Sequence, residues 1–125
     1  MCSFLTLGVE GKRSAALETA LLTLKLEVSR EVNPYVVPLF PAGDVLFMVM
    51  RGGCSCDLRP LKPDSPRDEK RRRRGQTGSK RPNLYSDALF AALRLHAPVR
   101  AFFHEVSGDQ FKEAVPEGAV ATVIS

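Results

Sequence analysis

The fold is decided by one stretch of the chain, Val45-Leu46-Phe47-Met48-Val49-Met50-Arg51-Gly52-Gly53-Cys54-Ser55-Cys56. Its first half, from Val45 to Met50, is apolar at every position, which is typical of a strand buried on both faces at the centre of a sheet. Gly52-Gly53 ends this strand, and two cysteines separated by one residue follow. A second strand with apolar residues on both faces, Ser3 to Val9, lies near the start of the chain. We therefore expect Val45–Met50 to be central and Ser3–Val9 to be mostly buried, whereas the sequence does not give the order of the strands.

The remaining elements are shorter or less strongly patterned. In chain order the sequence predicts a helix from Ser14 as N-cap to about Leu24, a weak strand around Leu26–Val32, a helix after Ser86 from Asp87 to about His96, a strand over Val99–Val106, a short helical piece over Gln110–Val115 and a last strand over Ala119–Ile124. This order predicts a single α+β domain over residues 1–125. We expect a two-layer sandwich, in which one mostly antiparallel sheet of about five strands carries two main helices on a face.

Length and composition limit the class of protein. The chain has 125 residues, 44% of them hydrophobic, which suffices for one domain to bury a core without disulfides. No apolar run approaches the roughly 20 residues that span a membrane. The N-terminal residues Met1-Cys2-Ser3-Phe4-Leu5 include no basic leader, so we expect a cytoplasmic protein with no membrane partner. Clustered cysteines in that compartment indicate metal binding or catalysis more often than structural disulfides.

The positive charge of the chain is concentrated in one segment. Residues 59–81 contain ten Lys/Arg and three Asp/Glu, a local charge of +7, whereas the rest of the chain has a charge of −3. This Pro-rich region, at about 58–83, predicts a basic, mobile excursion from the domain. Its run Arg71, Arg72, Arg73 and Arg74 is a candidate contact for nucleic acid or another anion. No aromatic residue is interleaved there to stack on bases, which favours a solvated loop over a nucleic-acid-binding one.

The three cysteines are the main candidate site. If the first strand runs antiparallel beside the Val45–Met50 strand, the start of one lies next to the end of the other, and Cys2 lies near Cys54 and Cys56. Three thiolates are suitable ligands for zinc, although structural zinc sites usually have two to four residues between paired cysteines. Candidates for the fourth ligand are His104, His96 and Asp57. The alternatives are a reactive or redox thiol and simple packing of small buried side chains.

Catalysis is a second interpretation of the same residues. A thiol-dependent enzyme or redox protein would use Cys54 or Cys56 with His104 as base. Cys2 directly follows Met1, and in this it resembles the N-terminal nucleophile of class II glutamine amidotransferases, but the resemblance ends there. His104 lies in the middle of a predicted strand, where a core histidine bonded to the backbone is more common than a ligand or base. His96 is better explained as a cation at a helix C-terminus.

Three sequence elements resemble a family of small bacterial proteins of unknown function. These elements are Met1-Cys2, the turn and strand Pro41-Ala42-Gly43-Asp44-Val45-Leu46-Phe47, and Gly53-Cys54-Ser55-Cys56-Asp57, so the resemblance covers residues 1–58. It implies no activity. Our first hypothesis is a non-enzymatic domain with a structural thiol or zinc cluster that acts by binding a protein partner. The rivals are the thiol-dependent enzyme and a nucleic-acid-associated accessory protein that uses Arg71–Arg74.

Overall fold

The computed structural model describes residues 2–59 and 84–125. Within these residues the chain forms one α+β domain, and the predicted fold class is confirmed. A five-stranded sheet has the order β2-β3-β1-β4-β5, with every neighbouring pair antiparallel. In chain order the elements are β1 (Cys2–Glu10), α1 (Ser14–Thr23), β2 (Glu27–Arg30), β3 (Asp44–Met50), α2 (Leu84–Leu95), β4 (Val99–Val106) and β5 (Thr122–Ile124).

The strand β1 is the centre of the sheet because it is the third of the five strands, with β3 on one side and β4 on the other. Leu7 lies opposite Phe47 of β3 on one side and opposite Ala101 of β4 on the other. Alternate side chains of a strand point to opposite faces, and one face of β1 packs against both helices. The core on that face includes Leu5, Leu7, Val9, Leu17, Leu21, Phe47, Val49, Leu58, Leu89, Leu93, Val99 and Ala101. This is the predicted arrangement of two main helices on one face.

The other face of the sheet is covered by segments without long regular structure. The buried amide of Asn33 donates to the carbonyls of Gln110 and Glu113, and it thereby joins the segment before β3 to the segment after β4. The predicted helical piece over Gln110–Val115 is wrong, since residues 110–112 form only a turn. The physical reason is that two carbonyls of this segment bond to the Asn33 side chain.

The ends of several elements differ from the prediction. Ser86 is not an N-cap, because α2 already begins at Leu84 and Ser86 is buried within it. The last strand is shorter than predicted, since β5 pairs with β4 only over three residues, and a turn with Gly118 at a φ of 78° precedes it. In the part of the chain that the structure describes, no helix has the length and apolar character needed to cross a bilayer.

Candidate thiol site

A tight turn at the end of β3 redirects the chain toward β1. The Arg51 N–H donates to the Cys54 carbonyl at 2.7 Å, and Gly52 and Gly53 between them have φ angles of 68° and 89°. These values match the two central positions of a type I′ hairpin turn, which strongly favours glycine. The carboxylate of Glu27 on β2 accepts hydrogen bonds from both glycine N–H groups, at 2.8 and 3.2 Å. The Gly-Gly pair therefore makes a defined reversal, which Glu27 holds in place.

Ser55 attaches the returning chain to β1. Its N–H donates to the Ser3 carbonyl at 2.7 Å. Its hydroxyl accepts from the Leu5 N–H at 2.7 Å and donates to the Val49 carbonyl. Leu5 and Val49 are the last paired residues of the β1/β3 ladder at this end, so the hydroxyl bridges the strands where they separate. Ser55 is completely buried, and these bonds fix the loop between the two cysteines.

The loop brings three sulfur atoms together. The Sγ atoms of Cys2, Cys54 and Cys56 all lie within 4.8 Å of one another. The predicted proximity of Cys2 to the other two cysteines is confirmed, and it follows from the predicted antiparallel pairing of β1 with β3. Cys2 and Cys56 are exposed, and Cys54 is half-buried beside Phe4 and Met48. Packing in the core can therefore account for a cysteine at position 54, but it does not account for the exposed cysteines at positions 2 and 56.

The surroundings shift the pKa values of two thiols in opposite directions. A hydrogen bond from the Ser3 N–H to Cys56 Sγ, at 3.3 Å, lowers the pKa of Cys56. Hydrogen bonds from the Cys54 and Cys2 side chains lower it further. Burial and the negative charge of Asp57 raise this pKa, but the hydrogen bonds outweigh them. At Cys54 a hydrogen bond from the Cys56 backbone lowers the pKa. Three effects outweigh that hydrogen bond and raise the pKa of Cys54. They are the hydrogen bond to the Cys56 side chain, burial, and the negative charges of Cys56 and Cys2.

These opposite shifts predict a selective, pH-dependent alkylation. Below the ordinary thiol pKa of about 8.5, a thiol with a lowered pKa retains more of the reactive thiolate and one with a raised pKa retains less. Iodoacetamide should therefore modify Cys56 faster than Cys54 at pH 7, and the difference should shrink as the pH rises past 9. Quenched labelling followed by peptide mapping measures both rates. Equal rates at pH 7 in the folded protein, or faster labelling of Cys54, would contradict the prediction.

The histidines and Asp57 are placed differently from the cysteines. Among the described residues, the group of metal-ligating side chains at this site contains only the three cysteines. His104 is buried, and its Nε2 lies 3.2 Å from the Ala114 carbonyl, which is the backbone-bonded core position favoured by the sequence. His96 precedes the end of β4 that lies away from Cys2. Asp57 is close in sequence, but its Oδ2 pairs with Arg51 Nη1 at 2.7 Å.

Two residues that hold the site were not identified from the sequence. They are Ser55, which lies between two of the cysteines, and Glu27 on β2. Neither has a sequence signal of its own, because Ser55 bonds to the backbone of Leu5, 50 positions away, and Glu27 to that of Gly52, 25 positions away. Residues 60–83 of the basic excursion lie outside the described residues, and these include Arg71, Arg72, Arg73 and Arg74. Their proposed mobility and anion contact stay predictions.

Comparison with known proteins identified no relative of this chain. No protein-family model matches the chain, and neither a search of curated proteins nor one of solved structures found a similar protein. The resemblance to small bacterial proteins therefore stays a prediction.

Proposed function

We propose that Cys2, Cys54 and Cys56 bind one zinc ion and that this metal site serves protein interaction. The observation that supports it is the mutual distance of the three Sγ atoms, all within 4.8 Å. Thiolates around a tetrahedral zinc ion, with Zn–S bonds of about 2.3 Å, lie roughly 3.8 Å apart. Small rotations of the cysteine side chains would bring the sulfurs from distances of up to 4.8 Å to this separation, because Cys2 and Cys56 are exposed.

The hydrogen bonds of Ser55 support a site that exists before the metal arrives. They hold the Cys54–Cys56 loop against β1 through backbone atoms and a buried hydroxyl, independently of any ligand. A site organised in this way loses little conformational entropy when it binds an ion. Zinc would then fasten the start of β1 to the loop after β3, and it would add stability to a fold already formed.

Three protein ligands leave one coordination position of a tetrahedral ion for an outside group. With two of the three cysteines exposed, that position would face the surface, where water or a side chain of a protein partner can occupy it. We propose this non-enzymatic role, in a reducing cytoplasm, over the catalytic alternative. The base that the alternative requires, His104, is buried and bonded to the Ala114 carbonyl.

Zinc titration of reduced, metal-free protein against a chromophoric chelator tests the proposal. We expect one zinc ion per chain, and Cys2→Ser, Cys54→Ser and Cys56→Ser should each weaken binding by more than about 100-fold, because loss of a group that only supports a metal ligand already costs roughly 10–100-fold. Zinc should raise the melting temperature of the wild type by mass action, and it should raise that of Cys56→Ser much less.

Asp57→Asn tests whether this carboxylate, which follows Cys56 directly and pairs with Arg51, is the fourth ligand. It should bind zinc as the wild type does. Substoichiometric zinc in the wild type, or cysteine variants with unchanged affinity, would refute the metal site. A large loss of affinity in Asp57→Asn would instead make Asp57 the fourth ligand.

A further inference from the structure

A cavity with an apolar lining lies beside the edge strand β5, between β4, α2 and the residues that lead into β5. Its volume is about 370 Å³. The residues that line it include Phe90, Ala101, Phe103, Val120, Thr122 and Ile124. Among the described residues, no Lys, Arg, Asp, Glu or His contributes to this lining. Val120 is 75% exposed and Thr122 is exposed, so the cavity opens to solvent.

The main-chain groups of Phe103 point to the side of β4 on which this cavity lies. In antiparallel strands, opposite residues alternate between pairs that exchange N–H···O=C bonds and pairs that do not. The Leu5 N–H bonds to Ser55 Oγ on the β3 side of β1, so Leu5 turns its main chain away from β4. Leu5 lies opposite Phe103, and this pair therefore exchanges no hydrogen bonds. The Phe103 N–H and carbonyl consequently point toward the β5 side.

Strand pairing on that side stops just before Phe103. The first residue of β5 is Thr122, which lies opposite Ala101. Continued pairing would place Val120 opposite Phe103, but among the described residues no backbone hydrogen bond joins these two. Both residues line the cavity. The wall of the cavity therefore presents the donor and the acceptor of one strand residue beside apolar side chains.

We propose that this cavity binds a small, uncharged molecule that has an apolar ring and, separated by one carbon atom, an amide N–H and a carbonyl group. The chemical class is that of an N-acylated aromatic amino-acid amide. Its N–H would donate to the Phe103 carbonyl and its carbonyl would accept from the Phe103 N–H, as an opposite strand residue does. This site is separate from the zinc site, since none of the three cysteines lines the cavity.

The apolar ring follows from the face of the sheet on which Phe103 lies. Phe103 and Phe90 both pack against the core between the sheet and the helices. Directly opposite residues of an antiparallel pair share a face of the sheet, so a ring on the ligand would lie on the side of these two phenylalanines. Aromatic rings in such contact favour offset or edge-to-face packing.

The size and charge of the ligand follow from the cavity itself. A volume of about 370 Å³ is near the lower end of the roughly 300–1,000 Å³ of ligand pockets, which favours a small molecule over a longer peptide. A charged ligand group would lose water in this lining without gaining an ionic partner, and that loss is costly. The ligand is therefore uncharged.

Titration of ¹⁵N-labelled full-length protein with N-acetyl-L-phenylalaninamide, followed by NMR, tests the proposal. We expect saturable shifts that are largest at the Phe103, Val120 and Thr122 amides. N-acetylglycinamide lacks the ring and should bind at least about tenfold more weakly. Methylation of the α-nitrogen removes the donor to Phe103 and should also cost about tenfold. No saturable shift at Phe103 at millimolar ligand, or equal binding of the glycine compound, would overturn the proposal.

Val120→Glu places a charge at the mouth of the cavity and should weaken binding of N-acetyl-L-phenylalaninamide at least about tenfold. Val123→Glu is the matched control, because Val123 is also an exposed valine but does not line the cavity, and it should bind as the wild type does. Unchanged affinity in Val120→Glu would refute the location. A blocked pentapeptide with a central phenylalanine that bound over tenfold tighter would replace the small molecule with a strand-adding peptide. Excess chelator in every titration keeps this test separate from the zinc titration.

Discussion

Ser55→Ala should destabilise the protein by about 2–6 kcal/mol, because it removes the hydrogen-bond partner of two buried backbone groups, each loss costing about 1–3 kcal/mol. These groups are the Leu5 N–H and the Val49 carbonyl, which the Ser55 hydroxyl bridges at the end of the β1/β3 ladder. Alanine fits the space but supplies neither an acceptor nor a donor. The loop should detach from β1, so the variant should also bind zinc more weakly than the wild type.

Urea denaturation gives the change in the free energy of unfolding, provided that the slope with denaturant is unchanged. Ser29→Ala is the matched control, since Ser29 is an exposed serine on the edge strand β2, and it should stay within about 0.5 kcal/mol of the wild type. If Ser55→Ala matched this control, the Ser55 hydroxyl would not be what joins the loop to β1. Ser55→Thr retains the hydroxyl, so it should bind zinc more tightly than Ser55→Ala does.

Gly8→Ala should cost about 1–3 kcal/mol, the range for overfilling a well-packed region. Gly8 lies in the middle of β1, and a Cβ atom there would lie 2.9 Å from both Phe40 Cε1 and Asp44 Oδ2. The Phe40 ring is buried, and Asp44 pairs with Arg100 at 3.3 Å, so neither neighbour moves freely. The side chain of Phe40 therefore packs directly on the backbone of the central strand, and only glycine permits this contact.

Gly43→Ala is the control for this prediction, because a Cβ atom at Gly43 meets nothing within 4 Å. It should change the free energy of unfolding by less than about 0.5 kcal/mol. A double-mutant cycle gives a further check: with Phe40→Ala already present, adding Gly8→Ala should cost clearly less than it does in the wild type. Equal effects of the two glycine substitutions in otherwise wild-type protein would disprove the close contact.

Much of the fold could be predicted because it depends on local pattern. The fully apolar run of β3 indicated a central strand, and the apolar residues on both faces of β1 indicated a mostly buried one. The apolar stripes of α1 and α2 indicated helices that pack on a sheet. Antiparallel pairing of the two central strands then placed Cys2 near Cys54 and Cys56, and the structure confirms this. The helical piece predicted over Gln110–Val115 failed for the opposite reason, since a distant side chain, that of Asn33, bonds to its carbonyls.

Hydrophobic periodicity, which sets the faces that must be buried, was enough to predict the α+β class and the burial of β1 and β3. It brought the three cysteines together only on the condition that these two strands pair antiparallel. Only the tertiary structure decided that Ser55 bridges the separating strands, that Glu27 holds the Gly52-Gly53 turn, and that the Ser3 N–H points at Cys56. Each of these depends on which backbone groups lack a strand partner once the sheet has formed. Burial makes such unpaired groups costly, and the residue that satisfies them is set by proximity in space, which sequence spacing does not encode.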